Sequence, residues 1–573
     1  MNSTIDDVTR SRITDVYGHV PDVLADGLKR CFDQSDPPST PDELWDHRDV
    51  VMITYADQIR ESGKSPLDAQ RQFLLDHNLD ELIRCVHLLP FCPSTSDDGF
   101  SVADYLAVDP ESGDWDDIKR LGERFDLMYD LVLNHSSQQH RWFQGFLNDE
   151  PEYQDFYTTA DPSEDLSEVV RPRSLPLLTE FVSASGKRHV WTTFSADQVD
   201  LNYANPRVML AMLETLVEYA RRGARIIRLD AIAFLWKEIG TSCLHLPQTH
   251  AAVRLMRHVL DVAAPGTIVL TETNVPHAEN ISYFGDGTDE AHMVYQFSLP
   301  PLLLDAIHSG DTGVLQGWMR SLDLPTDRVT YFNFTASHDG IGVRPAEGIL
   351  PQERVDALVD VAKAHGGRIG MRTKPDGSQS PYELNITYLD AIADRTKVPA
   401  AEHAQRFLAT QAIMLSMAGV PAVYFHSLVG SPNDIAGVEA SGIPRRINRH
   451  KYERAELEAA LSETGSLQQL VADGYRHLLR VRKQQTQFHP NASQTVLELP
   501  TDGLLGFVRQ HDDQLALCVL ANLSGETRSI ASADLPGQFD LDVLSDESLD
   551  QNAPIAMAPH QVRWLKSSST SDS

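Results

Sequence analysis

Cysteine is scarce in this chain, and the five present, Cys31, Cys85, Cys92, Cys243 and Cys518, are scattered, odd in number and without Cys-x-x-Cys spacing. A disulfide framework is therefore not expected, and the pattern fits buried free thiols in a reducing compartment. Basic residues are also few, with 49 Lys and Arg against 82 Asp and Glu for a formal charge of -33. A phosphate backbone or an anionic membrane surface would be repelled, so nucleic acid and membrane partners are not expected. No apolar run approaches the length of a bilayer span, and the opening residues Met1-Asn-Ser-Thr-Ile-Asp-Asp-Val carry neither a basic start nor an apolar stretch. A cytoplasmic protein is expected. Neither an Asp-x-Asp-x-Asp-Gly loop nor a His-Glu-x-x-His pair occurs, so no metal site and no cofactor is assigned. The acidity reads as solvated surface, of the kind common in a salty cytoplasm.

What is present is enough apolar sequence for a large core: 42% of 573 residues, with 23% charged. One barrel of about 400 residues with insertions, plus a small satellite domain, fits that length. Eight short apolar segments read as strands, near Val50–Tyr55, Ile83–Leu89, Leu127–Leu133, Arg225–Leu229, Thr267–Thr271, Met293–Phe297, Val329–Phe334 and Ala422–Phe425. They alternate with helical patterns or insertions, as in a closed parallel (β/α)8 TIM barrel. Amphipathic runs at Val208–Arg221 and Arg406–Met417 have helical spacing. The expected division is an N-terminal helical extension over 1–45, barrel over 46–135, 202–339 and 401–490, insertions over 136–201 and 340–400, an antiparallel β domain over 491–567, and a disordered Ser-rich tail over 568–573. A weakly amphipathic stretch, Val16–Phe32, accounts for the N-terminal helix.

Four strand ends carry polar residues suited to catalysis: Asp130-Leu-Val-Leu-Asn134-His135, Arg228-Leu-Asp230, Leu270-Thr-Glu272-Thr-Asn274 and Ser337-His338-Asp339-Gly340. Three carboxylates, Asp230, Glu272 and Asp339, fall on different strands of one sheet, which is how a barrel enzyme assembles a glycosidic site. Retaining cleavage needs one carboxylate as nucleophile and one as acid, then base. Arg228 lies on the same side of its strand as Asp230 and can hold it ionised, making Asp230 the natural nucleophile. Burial would raise the pKa of Glu272 and suit it to protonate the leaving oxygen. Asp339 would bind sugar hydroxyls and stabilise the transition state.

These four segments, in this order, resemble the signature regions of the α-amylase superfamily, glycoside hydrolase family 13. The resemblance implies a (β/α)8 barrel with the first insertion as domain B, and His135, Arg228 and His338 contacting the glucosyl unit. A narrower resemblance, to the sucrose phosphorylase subfamily, rests on Ile53-Thr-Tyr-Ala-Asp57, Asp97-Asp-Gly-Phe100, Arg171-Pro-Arg173, Lys237-Glu-Ile-Gly-Thr-Ser-Cys243, Leu299-Pro-Pro-Leu-Leu-Leu304, His338-Asp-Gly-Ile-Gly342 and Ile447-Asn-Arg-His450. It implies transfer of glucose to phosphate, which is a co-substrate, with Asp97, Phe100 and Arg445 holding glucose and Arg173 binding phosphate. Phe194, Gln198 and Phe234 are further candidate substrate contacts. A guanidinium at Arg173 makes physical sense, because a dianion entering a site of ionised carboxylates needs a cation to offset it.

The residues around the leaving group depart from sucrose phosphorylases: Val170, Ser380, Glu383 and Phe234 stand where that subfamily has fructose-contacting groups. The stretches Gly340–Gly348, Lys374–Asn385 and Thr271–His277 look more like the branch acting on glucosylglycerol and glucosylglycerate. Glu383, and less directly Glu347, are candidate acceptor contacts. Glu383 could accept hydrogen bonds from two glycerol hydroxyls, but would repel the carboxylate of glycerate unless Arg344, Arg372 or Lys374 intervened. The expectation is glucosylglycerol phosphorylase, with glucosylglycerate next, then sucrose and sucrose 6F-phosphate. A hydrolase or transglucosidase of the same superfamily is a more distant reading, and a catalytically inert amylase-like binding subunit is disfavoured because all three carboxylates are present. Small-molecule substrates and a monomer or homodimer are expected.

Overall fold

Eight parallel strands close into a barrel: β1 (Val51–Thr54), β2 (Cys85–Leu88), β3 (Asp126–Val132), β4 (Ala224–Asp230), β5 (Ile268–Thr271), β6 (Met293–Tyr295), β7 (Thr330–Phe334) and β8 (Val420–Tyr424). They follow one another around the ring in chain order, and β8 pairs with β1. Each of the eight expected segments supplies one strand. The strands are buried along nearly their whole length, as a sheet packed on both faces requires. This is a computed structural model, and it describes residues 5–34, 41, 43–173, 175–373 and 378–567. Lys374 and the tail at 568–573 lie outside the described residues.

The outer helices follow the expected spacing and are capped by their own sequence. The helix Pro206–Arg221 starts with Asn205 accepting from the Arg207 N–H and with proline in its first turn. It buries Val208, Met209, Met212, Leu213, Leu216 and Val217 against the barrel. At the N-terminus there are two helices, Asp7–Tyr17 and Asp22–Asp33, where the amphipathic stretch Val16–Phe32 suggested one. Gly18, at φ +73, ends the first in a left-handed turn, and Pro21 then sets the start of the second.

Two insertions and one terminal sheet decorate the barrel. After β3 the chain forms a hairpin, Leu178–Ser183 with Gly186–Trp191, and returns through Gln198–Asp200, which pairs antiparallel with His135–Ser137. After β7 it builds a three-stranded antiparallel sheet from Ile341–Gly342, Arg368–Thr373 and Gln379–Asn385. The C-terminal region is a six-stranded antiparallel sheet beginning at Ser493–Val496. Leu505, Phe507, Val519 and Trp564 join the main core, while Leu504, Cys518, Leu520 and Leu565 face a second, smaller one. That alternation is why its strands read apolar on both sides in the sequence.

Candidate active site

Strand register brings the carboxylates together. Arg228 pairs with Leu270 and Leu229 with Thr271, so Asp230 and Glu272 stand at equivalent positions just beyond, at the C-terminal ends of adjacent strands. Asp130 on β3 pairs with Arg228. The buried Arg228 guanidinium consequently bridges Asp130 and Asp230, donating from Nη1 to Asp230 Oδ1 at 2.6 Å, and lies 3.7 Å from Glu272 Oε2. Asp130 is itself braced by His87 Nε2 at 2.7 Å. Directly after Asp230 the chain turns left-handed at Ala231, φ +50, an uncommon conformation for a residue with a side chain. That turn aims the Ala231 N–H at Glu272 Oε2, 3.0 Å away.

Burial pushes both Asp230 and Glu272 above the ordinary carboxyl range, and their mutual repulsion adds to it for Asp230. Arg228 opposes the shift in each. Its contact is direct at Asp230 and looser at Glu272, which favours the ionised form at Asp230 more than at Glu272. Asp339 differs: burial would raise it, but Arg445, Arg449, Arg228 and Arg173 outweigh burial and hold it below the usual range. Arg445 Nη1 lies 2.6 Å from Asp339 Oδ1.

A cavity at this end of the barrel is lined by Asp97, Phe100, His135, Arg173, Phe194, Gln198, Arg228, Asp230, Phe234, Glu272, His338, Asp339 and Arg445. Thirteen of the fifteen candidate residues thus share one cavity. Phe100 stacks on His338, with ring centres 4.6 Å apart and planes 7° from parallel. His338 Nδ1 is buried without a protein partner, and burial holds the imidazole well below its ordinary pKa, in the neutral form. His135 is lowered by burial too; its Nε2–H donates to the Phe100 carbonyl at 2.9 Å, and Gln198 Nε2 donates to the same oxygen at 3.0 Å. Asp97, Asp98 and Gly99 all have positive φ, a strained turn that Arg449 holds through Asp97 Oδ1 at 3.2 Å and Asp98 Oδ2 at 2.8 Å.

Glu383 and Glu347 are the two candidates outside that lining. Glu383 is buried, and both its oxygens face Arg445, at 3.0 and 2.8 Å, with Arg173 at 3.5 Å. Burial would raise its pKa, but those two guanidinium groups hold it below the ordinary value. Its carboxylate is thus spent on orienting arginines rather than left free for glycerol hydroxyls. Glu347 is exposed and takes Arg372 at 2.6 Å.

Tyr382, Asn274, Val275 and Ala233 also line the cavity and were not singled out from the sequence. Neither was Arg449, which is fully buried and donates to the His338 carbonyl at 2.9 Å. Asn274 and Arg449 lie inside stretches already quoted, two residues from Glu272 and in Ile447-Asn-Arg-His450; Tyr382 sits beside Glu383 with no signal of its own.

Lys237, from the loop after β4, ties the first insertion to the barrel. Its Nζ lies 2.7 Å from Asn134 Oδ1 and 2.8 Å from Asp200 Oδ2, and Asp200 pairs with His135 across the short sheet. Lys237→Met would leave Asp200 a buried charge without its cation, a change that costs about 3–5 kcal/mol. A clearly lowered thermal midpoint is expected; an unchanged one would mean the pair contributes nothing. Among the described residues, no group of three or more His, Cys, Asp or Glu is placed to hold a metal ion, and no helix is long and apolar enough to cross a membrane.

Residues 79–319 match the family model of the α-amylase catalytic domain. A glucosylglycerate phosphorylase from Allomeiothermus silvanus is 53% identical to this chain, over 83% of it and 85% of that protein. The chain belongs to glycoside hydrolase family 13, in its sucrose phosphorylase subfamily. It is a glycoside phosphorylase of that family. A glucosylglycerol phosphorylase from Marinobacter adhaerens is 31% identical over 72% of this chain and 84% of its own length. Among solved structures, the sucrose 6F-phosphate phosphorylase from Thermoanaerobacter thermosaccharolyticum superposes with a TM-score of 0.71 at 25% identity, covering 83% of this chain and 94% of that one.

These similarities overturn glucosylglycerol as the expected substrate, since the phosphorylase named for it is far less similar to this chain than the one named for glucosylglycerate. The physical objection to glycerate also falls away. It assumed a free carboxylate at Glu383, and that group is neutralised by Arg445 and Arg173.

Proposed function

We propose that the protein reversibly phosphorolyses glucosylglycerate to α-D-glucose 1-phosphate and glycerate, with retention at the anomeric carbon. The observation that carries this reading is the 53% identity, across most of both chains, with a glucosylglycerate phosphorylase. The neutralised Glu383 supports it, because a carboxylate among the acceptor loops no longer stands as an unpaired charge against an anionic acceptor.

In the first step Asp230, kept ionised by Arg228, attacks C1 of the glucosyl unit from the face opposite the leaving oxygen, while Glu272 gives that oxygen its proton. Glycerate leaves, and a β-glucosyl ester of Asp230 remains. Phosphate then enters on the vacated side. One of its oxygens attacks C1, its proton passes to Glu272, and Asp230 departs as carboxylate. Two inversions give the α-phosphate. Asp339, held ionised by Arg445, stabilises the oxocarbenium-like charge through the sugar hydroxyls, and Asp97, Phe100, His135 and His338 surround the glucosyl ring.

Both exchanging partners are anions, and the role of Arg173 follows from that. It reaches the cavity beside Tyr382, its guanidinium carbon 5.9 Å from the ring centre, where it can offset phosphate against Asp230 and Glu272. Arg173→Ala is expected to raise the KM for phosphate roughly tenfold more than that for the glucoside; equal changes would remove Arg173 from the phosphate site. The reading as a whole is tested by phosphate release from α-glucose 1-phosphate with glycerate, glycerol, fructose or no acceptor. Strong stimulation by glycerate is expected. Stimulation by glycerol alone, or release indifferent to every acceptor, would overturn it, the latter in favour of hydrolysis.

A further inference from the structure

Among the described residues, six arginines are more than nine-tenths buried: Arg228, Arg344, Arg449, Arg482, Arg509 and Arg563. Five of them donate hydrogen bonds to carboxylates or backbone carbonyls. The Arg344 side chain makes no hydrogen bond with any described residue. Its Nε is fully buried without a partner, and the nearest carboxylate oxygen, Glu279 Oε2, is 3.9 Å from Nη2, beyond hydrogen-bonding distance. Glu279 is moreover shared with His245 at 3.2 Å and is well exposed. A buried guanidinium with unspent donors is unfavourable unless something supplies the missing anion.

The surroundings say where that anion comes from. Arg344 follows directly on Val343, whose N–H donates to the Tyr382 carbonyl at 3.0 Å, and Tyr382 lines the cavity. Two residues earlier, Gly342 runs so close to Asn274 that an added Cβ would sit 2.8 Å from its Oδ1. Asn274 also lines the cavity, and that same oxygen is buried without a partner. The backbone leading into Arg344 is thus packed against two polar groups of the cavity wall, and its guanidinium is close enough to feel Tyr382. The neighbouring cation, Arg372, is already paired with Glu347. Burial lowers the pKa of Arg344, and Arg372 adds to this, but a guanidinium remains charged at neutral pH.

We propose that Arg344 receives the carboxylate of the acceptor and is the residue that selects glycerate over a neutral polyol. The proposal rests on the glucosylglycerate reading and specifies how that site tells its acceptor from glycerol. A planar fork matches a carboxylate with two parallel hydrogen bonds, a geometry that a hydroxymethyl group cannot reproduce.

The test is acceptor kinetics from α-glucose 1-phosphate with D-glycerate and with glycerol, in the wild type, Arg344→Gln and Arg344→Lys. In Arg344→Gln the ratio of kcat/KM for glycerate to that for glycerol is expected to fall at least tenfold, with the change carried by the glycerate KM. Arg344→Lys, which keeps the charge and guards against misfolding, is expected to recover part of that ratio but not all of it. A ratio unchanged from wild type in both variants would overturn the role of Arg344 while leaving the glucosylglycerate reading in place. A wild type that is not stimulated by glycerate would overturn both.

Discussion

Asp230→Ala is expected to lower turnover by at least about 10⁴-fold, because the proposed double displacement needs its carboxylate to attack C1 and carry the glucosyl unit. The fold should survive. Among the described side chains Asp230 is held by Arg228 alone, and Arg228 keeps Asp130 as its second carboxylate partner. Removing Asp230 also relieves its repulsion with Glu272. The measurement is phosphorolysis rate alongside thermal midpoint: lost activity at a retained midpoint is the expected pair of results. Turnover within about tenfold of wild type would mean that Asp230 is a structural partner of Arg228 and not the nucleophile.

Glu272→Gln should be nearly as damaging for the natural reaction, by about 10²–10⁴-fold, but selectively so. An alcohol leaves poorly without a proton, whereas fluoride leaves without one. With α-glucosyl fluoride as donor the loss in forming the glucosyl-enzyme is expected to be much smaller, and equal losses with both donors would argue against an acid role. The same substitution carries a stability signature. Burial raises the pKa of Glu272, so the folded chain holds a proton that the unfolded chain releases, and stability is lost as pH rises from the ordinary carboxyl range through the raised value. Gln has no proton to lose. Glu272→Gln should therefore exceed the wild type in thermal midpoint above that window and match it more closely near pH 4. A lower midpoint at every pH would show that the Ala231 contact matters more than the buried charge.

The barrel was legible because each of its strands is a short apolar run bounded by turns, and a sheet covered on both faces permits nothing else. The three carboxylates were legible for a related reason: polar residues closing apolar strands are costly unless the strand ends meet at a site. Glu383 shows where the sequence is insufficient. A carboxylate in an acceptor loop reads as a ligand for hydroxyls, and only the three-dimensional contacts reveal that Arg445, 62 residues away, takes both oxygens. With its pairing partner invisible in the sequence its charge reads as free, and a free carboxylate there favours glycerol over glycerate. Arg449 was missed for the converse reason. Its sequence neighbours give no hint that it closes under the strained Asp97-Asp98-Gly99 turn, with Asp98 lying 351 residues earlier in the chain. The split of the N-terminal stretch into two helices, by contrast, was marked by Gly18 and Pro21 in plain view.

Asp230, Glu272, Asp339 and Glu383 would make the cavity hostile to any anion, yet both proposed partners of the glucosyl group, glycerate and phosphate, are anions. Arg228 and Arg445 neutralise the glucosyl end through direct pairs, and Arg173 stands at the boundary with Glu383.

The most direct test of this account is to incubate the protein with glucosylglycerate and inorganic phosphate and follow the products by NMR. α-D-Glucose 1-phosphate and glycerate in equal amounts, with no free glucose, is the expected result. Formation of β-glucose 1-phosphate, release of glucose in place of the phosphate ester, or no consumption of glucosylglycerate would contradict it.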